Sequence, residues 1–95
     1  MQSVTLNDRL NIPEDVVFRE VEGEMVLLNT GSGTYYGLDA VGSRIWDLLA
    51  EKKNIREVLE MMLQEYEVAA EDLQRDILHL VQELKAKGLV EVVSS

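Results

Sequence analysis

Hydrophobic positions change their period once along this 95-residue chain, at Asp39. Before it, β-branched, aromatic and other apolar residues alternate with polar ones at the two-residue period of strands. From Ala40 to Gly88 they recur every three or four residues, as on one face of a helix. The stretch Thr34 to Asp39 is the junction between these regimes.

The first regime reads as a small antiparallel sheet. Met1 to Glu14 alternates weakly and ends beside the only proline, Pro13, a lead-in able to hold an edge strand. Val16 to Val21 and Met25 to Leu28 are two β-rich runs separated by Glu22-Gly23-Glu24, where Gly23 supplies the positive φ of a tight hairpin. Gly31-Ser32-Gly33 separates the second run from Thr34 to Leu38. The result is a three-stranded meander whose last strand is 34 to 38, with Tyr35 and Tyr36 on opposite faces; alternation alone leaves open which one meets the core.

The second regime predicts three helices. Asp39 is a good N-cap for a helix from Ala40 to about Ala50, with Val41, Ile45, Leu48 and Leu49 on the apolar stripe, Trp46 at its flank and Lys52-Lys53 at its end. Asn54, with Glu57 three residues on, forms a capping box opening a second helix whose stripe is Val58, Leu59, Met62, Leu63 and Tyr66. After a break near Glu67 to Ala70, a third helix carries Glu71 and Asp72 early and Lys85 and Lys87 late, both suited to its dipole. Its core stripe is Leu73, Ile77, Leu80 and Leu84. Gly88 is a natural helix-terminating glycine, and Leu89 to Val93 is an apolar run able to return to the sheet as a short fourth strand. The expected fold is therefore α+β and winged-helix-turn-helix-like: a three-stranded antiparallel sheet, then three helices, then a short C-terminal strand.

Composition narrows the function. A chain this short buries roughly 60–65% of its unfolded surface, enough for one core and a single domain, 1–95. Eighteen acidic residues against nine basic ones give a net charge of −9, which opposes attraction to nucleic acid or anionic lipid. There is no cysteine, hence no thiolate nucleophile and no zinc-thiolate site. No basic-then-apolar secretory signal opens the chain and no apolar run spans a bilayer, so a cytoplasmic protein without membrane association is the simplest expectation.

Catalytic constellations are missing. His79 is the sole histidine and has neither a second histidine nor a cysteine to form a metal or triad site. The acidic group Glu71, Asp72 and Asp76 reads as solvated helix-dipole partners, and Met61-Met62 as core filling. Gly31-Ser32-Gly33 follows a strand without opening a helix, so it is a turn and not a phosphate cradle. No enzyme, cofactor or metal is expected. The helix, break, helix and strand after Asn54 fit a winged-helix transcriptional regulator or a protein–protein adaptor, but the outer face of the third helix is too acidic for a DNA reader.

Beside the core stripe of the third helix runs a second one, Gln74, Leu78, Val81 and Lys85. Leu78 either packs on the first helix or the C-terminal run, or faces the edge of the 34–38 strand across a groove. An unpaired strand edge beside such a groove accepts an extended peptide as an added strand.

The run Thr34-Tyr35-Tyr36-Gly37-Leu38-Asp39, continued by Val41-Gly42-Ser43-Arg44-Ile45-Trp46-Asp47-Leu48-Leu49, resembles the strand-to-helix junction of the PqqD family. Tyr66-Glu67-Val68, Leu80 to Leu84 and Gly88-Leu89-Val90 are similar to its later pattern. The family comprises leader-peptide recognition domains for ribosomally made, post-translationally modified peptides. The resemblance implies non-catalytic binding of a precursor's leader beside the third strand and against the third helix, and presentation of the core peptide to a separate enzyme. Carried over by position, Thr34, Tyr35, Tyr36, Gly37 and Leu38 would supply the edge, and Gln74, Leu78, Val81, Gln82 and Lys85 the opposite wall. Stand-alone chains of this length resemble those of lasso-peptide clusters, whose partner is a leader peptidase, and the protein of pyrroloquinoline quinone synthesis, whose partner is a radical enzyme. The apolar run after Gly88 inclines the comparison to the lasso type.

Overall fold

The computed structural model describes residues 4–51 and 54–93. The elements run β1 (Arg9–Asn11), β2 (Val16–Val21), β3 (Glu24–Asn29), β4 (Thr34–Leu38), α1 (Ala40–Ala50), α2 (Ile55–Glu65), α3 (Ala70–Ala86) and β5 (Glu91–Val93). This is the expected α+β arrangement. β2, β3 and β4 form an antiparallel meander in that order. Glu22 (φ +53°) and Gly23 (φ +82°) make a two-residue hairpin between the paired Val21 and Glu24. Positive φ at both central positions matches the right-handed twist of the flanking strands.

The C-terminal run does not return to that sheet. β5 pairs antiparallel with β1, Leu10 opposite Val92, as a separate two-stranded sheet. The lead-in thus holds a strand whose partner is the far end of the chain. The same segment also serves α2, whose Ile55 and Arg56 amides donate to the carbonyls of Asp8 (3.1 Å) and Leu6 (2.9 Å). Two amides of the first helical turn, which lack partners within the helix, are satisfied in this way.

One core joins the sheet's inner face to the helices. Leu27, Trp46, Leu48, Ile55, Val58, Met62, Ile77, Val81, Leu84 and Leu89 are completely inaccessible. Trp46 stands at the centre, not the flank: α1 packs against β1, β3, β4 and α2, so its buried surface is wider than one stripe, while Val41 is exposed. The rings of Trp46 and Phe18 meet edge to face at 72° with 5.3 Å between centroids, a favoured aromatic geometry. On α3 the buried stripe is Leu73, Ile77, Val81 and Leu84; Leu80, expected among them, is only half-buried.

The expected caps are present. Asp39 Oδ1 accepts from the Gly42 amide at 2.8 Å, and Asn54 and Glu57 form the reciprocal capping box. At the end of α3, Gly88 takes φ +71°; its amide donates to Lys85 C=O and that of Leu89 to Leu84 C=O, the paired bonds of a Schellman ending. The Lys52-Lys53 pair lies outside the described residues. Among the described residues, no helix is long and apolar enough to cross a membrane.

Candidate functional site

β4 is an edge strand, hydrogen-bonded to β3 on one side only among the described residues. Its register, Leu27 opposite Tyr36 and Met25 opposite Leu38, fixes which side chains turn inward. Tyr36 and Leu38 face the core side, Leu38 almost fully buried, and Tyr35 points outward with 69% of its surface exposed. The two tyrosines are thus assigned.

The strand leads straight into α1, and a buried serine locks the junction. Ser43 Oγ accepts from the Met25 amide at 2.7 Å and donates to Leu38 C=O at 3.2 Å. Met25 and Leu38 are cross-strand partners, so one side chain of α1 closes the end of their ladder. Gly42 is explained by the same junction. A Cβ there would lie 3.2 Å from Asp39 Oδ1 and 3.3 Å from Leu38 Cδ2, tight contacts that would press on the capping side chain and on Leu38.

Two further bonds tie the sheet to α3 and to the turn that follows it. Asn29 Nδ2 donates to Gly88 C=O at 2.9 Å, and the Tyr36 hydroxyl donates to Glu83 Oε2 at 2.7 Å. Between the walls lies a groove of ≈ 470 Å³. Tyr36, Gly37 and Leu38 form one side, Asp39, Val41, Gly42 and Ile45 the base toward α1, and Asp76, His79, Leu80 and Glu83 the helical wall. The floor is apolar, through Leu38, Val41, Ile45 and Leu80. The rim is acidic, through Asp39, Asp76 and Glu83. The Glu83 carboxylate raises the Tyr36 hydroxyl above its ordinary value of 10.0, chiefly by accepting its proton in a hydrogen bond, with desolvation and negative charge adding to the effect. Tyr36 therefore stands in the groove as a neutral donor. Among the described residues, no three His, Asp or Glu side chains converge in a manner suited to a metal ion.

The helical wall differs from the one inferred from sequence. Val81 is wholly buried and belongs to the core. Gln74, Leu78 and Gln82, with Glu71, Arg75 and His79, line a separate hollow of ≈ 440 Å³ on the outer surface of α3, and Lys85 is exposed near the helix end. This surface adjoins the one facing β4 along His79, which lines both hollows. Asp76, His79, Leu80 and Glu83, which line the groove opposite β4, are not among the positions carried over by the resemblance. Their spacing, i, i+3, i+4 and i+7, is a helical face, but only the direction of β4 distinguishes it from its neighbour. The exposed surface of α3 carries Glu71, Asp72, Asp76 and Glu83 against Arg75 and Lys85, an arrangement that repels phosphate and disfavours a DNA-reading role.

No curated protein sequence matches the chain. Two solved structures do. One, described as TbiB1 in complex with the TbiA(beta) leader peptide, is 40% identical, with a TM-score of 0.82, and the match covers 88% of this chain and 98% of that one. A lasso peptide synthetase B1 complexed with the leader peptide is 29% identical, with a TM-score of 0.80, covering 87% and 98%. The family described as Coenzyme PQQ synthesis protein D (PqqD) matches residues 24–90, from the start of β3 through the turn that follows α3. With that match spanning most of its length, this chain belongs to the PqqD family.

Proposed function

We propose that the chain is a non-catalytic binder of the leader segment of a ribosomally synthesised precursor peptide, which it delivers to a modifying enzyme or leader peptidase. The leader adds as a strand to Thr34–Leu38 and its inward side chains enter the groove against α3. The observation that carries this reading is the edge of β4, unpaired among the described residues, beside a groove with an apolar floor, in a fold shared with two proteins solved with leader peptides. Main-chain bonds to the edge give affinity without regard to sequence, and the groove supplies selection. Asp76, His79, Leu80 and Glu83 form the selecting wall, with Gln74, Leu78 and Gln82 beyond His79 available to a peptide that extends across the helix. The acidic rim and net charge of −9 favour a neutral or basic leader, captured faster at low salt.

The test is a titration of the labelled chain with synthetic leader. Amide resonances of Tyr35 to Leu38 and of His79 to Glu83 shift in a saturable manner. If a leader from the same gene cluster leaves both segments unmoved at high concentration, the reading fails.

A further inference from the structure

The outer face of the three-stranded sheet has no covering layer among the described residues. Strand alternation sends Val17, Leu28 and Tyr35 to this face as one cross-strand row, with Val26 in the next and Val21 toward the hairpin end. Val17 is 51% exposed and Val21 50%. Together these side chains border a shallow hollow of ≈ 530 Å³ in which Arg19 is the one charged lining residue. A solvated sheet face ordinarily carries polar residues, and a contiguous apolar patch marks an interaction surface.

Two observations identify what covers it. First, the patch runs without interruption to the free edge of β4, through Tyr35 and Gly37, the latter with nothing within 4 Å of where a Cβ would lie. A peptide added at that edge widens the sheet by one strand, sending alternate side chains into the groove and the intervening ones onto this outer face. An occupant of the patch therefore touches the bound peptide as well. Second, the chain carries −9, and Glu22 and Glu24 stand at the hairpin end of the patch. A second copy would bring like charge against like, whereas a partner with a basic rim is attracted.

We propose that the enzyme acting on the bound peptide docks on this face, through an apolar surface rimmed by basic residues, covering the patch and the peptide's outward side chains together. The proposal rests on the leader-binding reading above. Because the occupant contacts both, it binds the peptide-loaded chain more tightly than the free chain, and the leader in turn binds more tightly when the enzyme is present.

The experiment uses the purified leader peptidase or modifying enzyme encoded beside the precursor, titrated onto the immobilised chain with and without synthetic leader. Val17→Glu and Val21→Glu change exposed positions on β2, which β3 separates from β4. Each weakens enzyme binding about tenfold or more, as for a central apolar contact, and leaves leader affinity within about twofold. Methyl spectra of the wild-type chain give a second readout that needs no variant: Val17, Val21, Val26 and Leu28 shift when enzyme is added. Enzyme affinity unchanged in both variants, or methyl groups unmoved in a formed complex, overturns the proposal. So does a wild-type dimer that Val17→Glu converts to monomer, since the occupant is then a second copy. Loss of the leader-binding reading is distinct: the wild-type chain then fails to bind leader, whatever the enzyme does.

Discussion

The hydroxyl of Tyr36 on β4 donates to Oε2 of Glu83 on α3 at 2.7 Å, tying the two walls of the groove across 47 residues of sequence. Lys87 Nζ lies 5.8 Å from the centroid of the same ring. The bond sets the spacing of strand and helix at one end of the groove, and it exists only while the phenol keeps its proton. Tyr36 ionises above its ordinary value because Glu83 accepts its hydrogen bond, with burial and nearby negative charge contributing. A folded-state value raised above the unfolded one means that this stabilisation is complete below pH about 10 and is lost as pH rises through the higher folded value. Absorbance titration is expected to resolve a late-ionising tyrosine that vanishes in Tyr36→Phe. That variant also melts earlier, by an amount matching about 1 kcal/mol for one hydrogen bond.

Leu80 and Leu78 separate the groove from the neighbouring surface. Leu80 lines the wall facing β4, whereas Leu78 lines the hollow on the outer side of α3. Leu80→Gln is expected to weaken leader binding roughly tenfold, about 1.4 kcal/mol, while Leu78→Gln changes it little. Calorimetric titration with synthetic leader checks both, and the reverse order would place the peptide on the outer surface of α3.

Ser43→Ala tests the lock at the strand-to-helix junction. The change leaves the Met25 amide and the Leu38 carbonyl without their buried partner. An unsatisfied buried group costs about 1–3 kcal/mol. For a domain of this size the melting temperature falls by roughly 4–8 °C for each kcal/mol. Thermal unfolding followed by circular dichroism measures the loss; an unchanged melting temperature would contradict the assigned role of Ser43.

Arg44 and Glu65 join α1 to α2 through a two-pronged pair, Nη2 to Oε2 at 2.8 Å and Nε to Oε1 at 2.9 Å. The guanidinium's hydrogen bonds hold the Glu65 carboxyl below its ordinary 4.5. Its contribution is therefore present above that value and lost as pH falls through the lower folded one. The pair is partly exposed, so the effect is small and screened by salt. Glu65→Gln is expected to flatten the acid limb of the melting-temperature profile, most visibly at low ionic strength.

Local chemistry carried much of the fold in the sequence. The Asp39 cap, the Asn54 capping box and the Gly88 ending each depend on residues within one or two turns of each other, and they bound the helices where expected. What local pattern could not supply was direction. Leu78, Leu80 and Val81 are adjacent apolar residues on one helix, and their division among outer surface, groove and core is decided by where β4 and α2 lie. Trp46 reads as a flank residue because a single-stripe pattern underestimates a helix covered on several sides. β5 pairs with β1 through contacts between the two ends of the chain, for which neither segment carries a local signal.

The claim that the leader adds as a strand to β4 is tested most directly by amide hydrogen exchange along Thr34 to Leu38. In an edge strand, alternate amides already bond to β3 and the intervening ones face the groove. Saturating synthetic leader should slow exchange at those intervening amides in a two-residue period and leave their neighbours little changed. Leader binding with no new protection at any β4 amide would contradict strand addition.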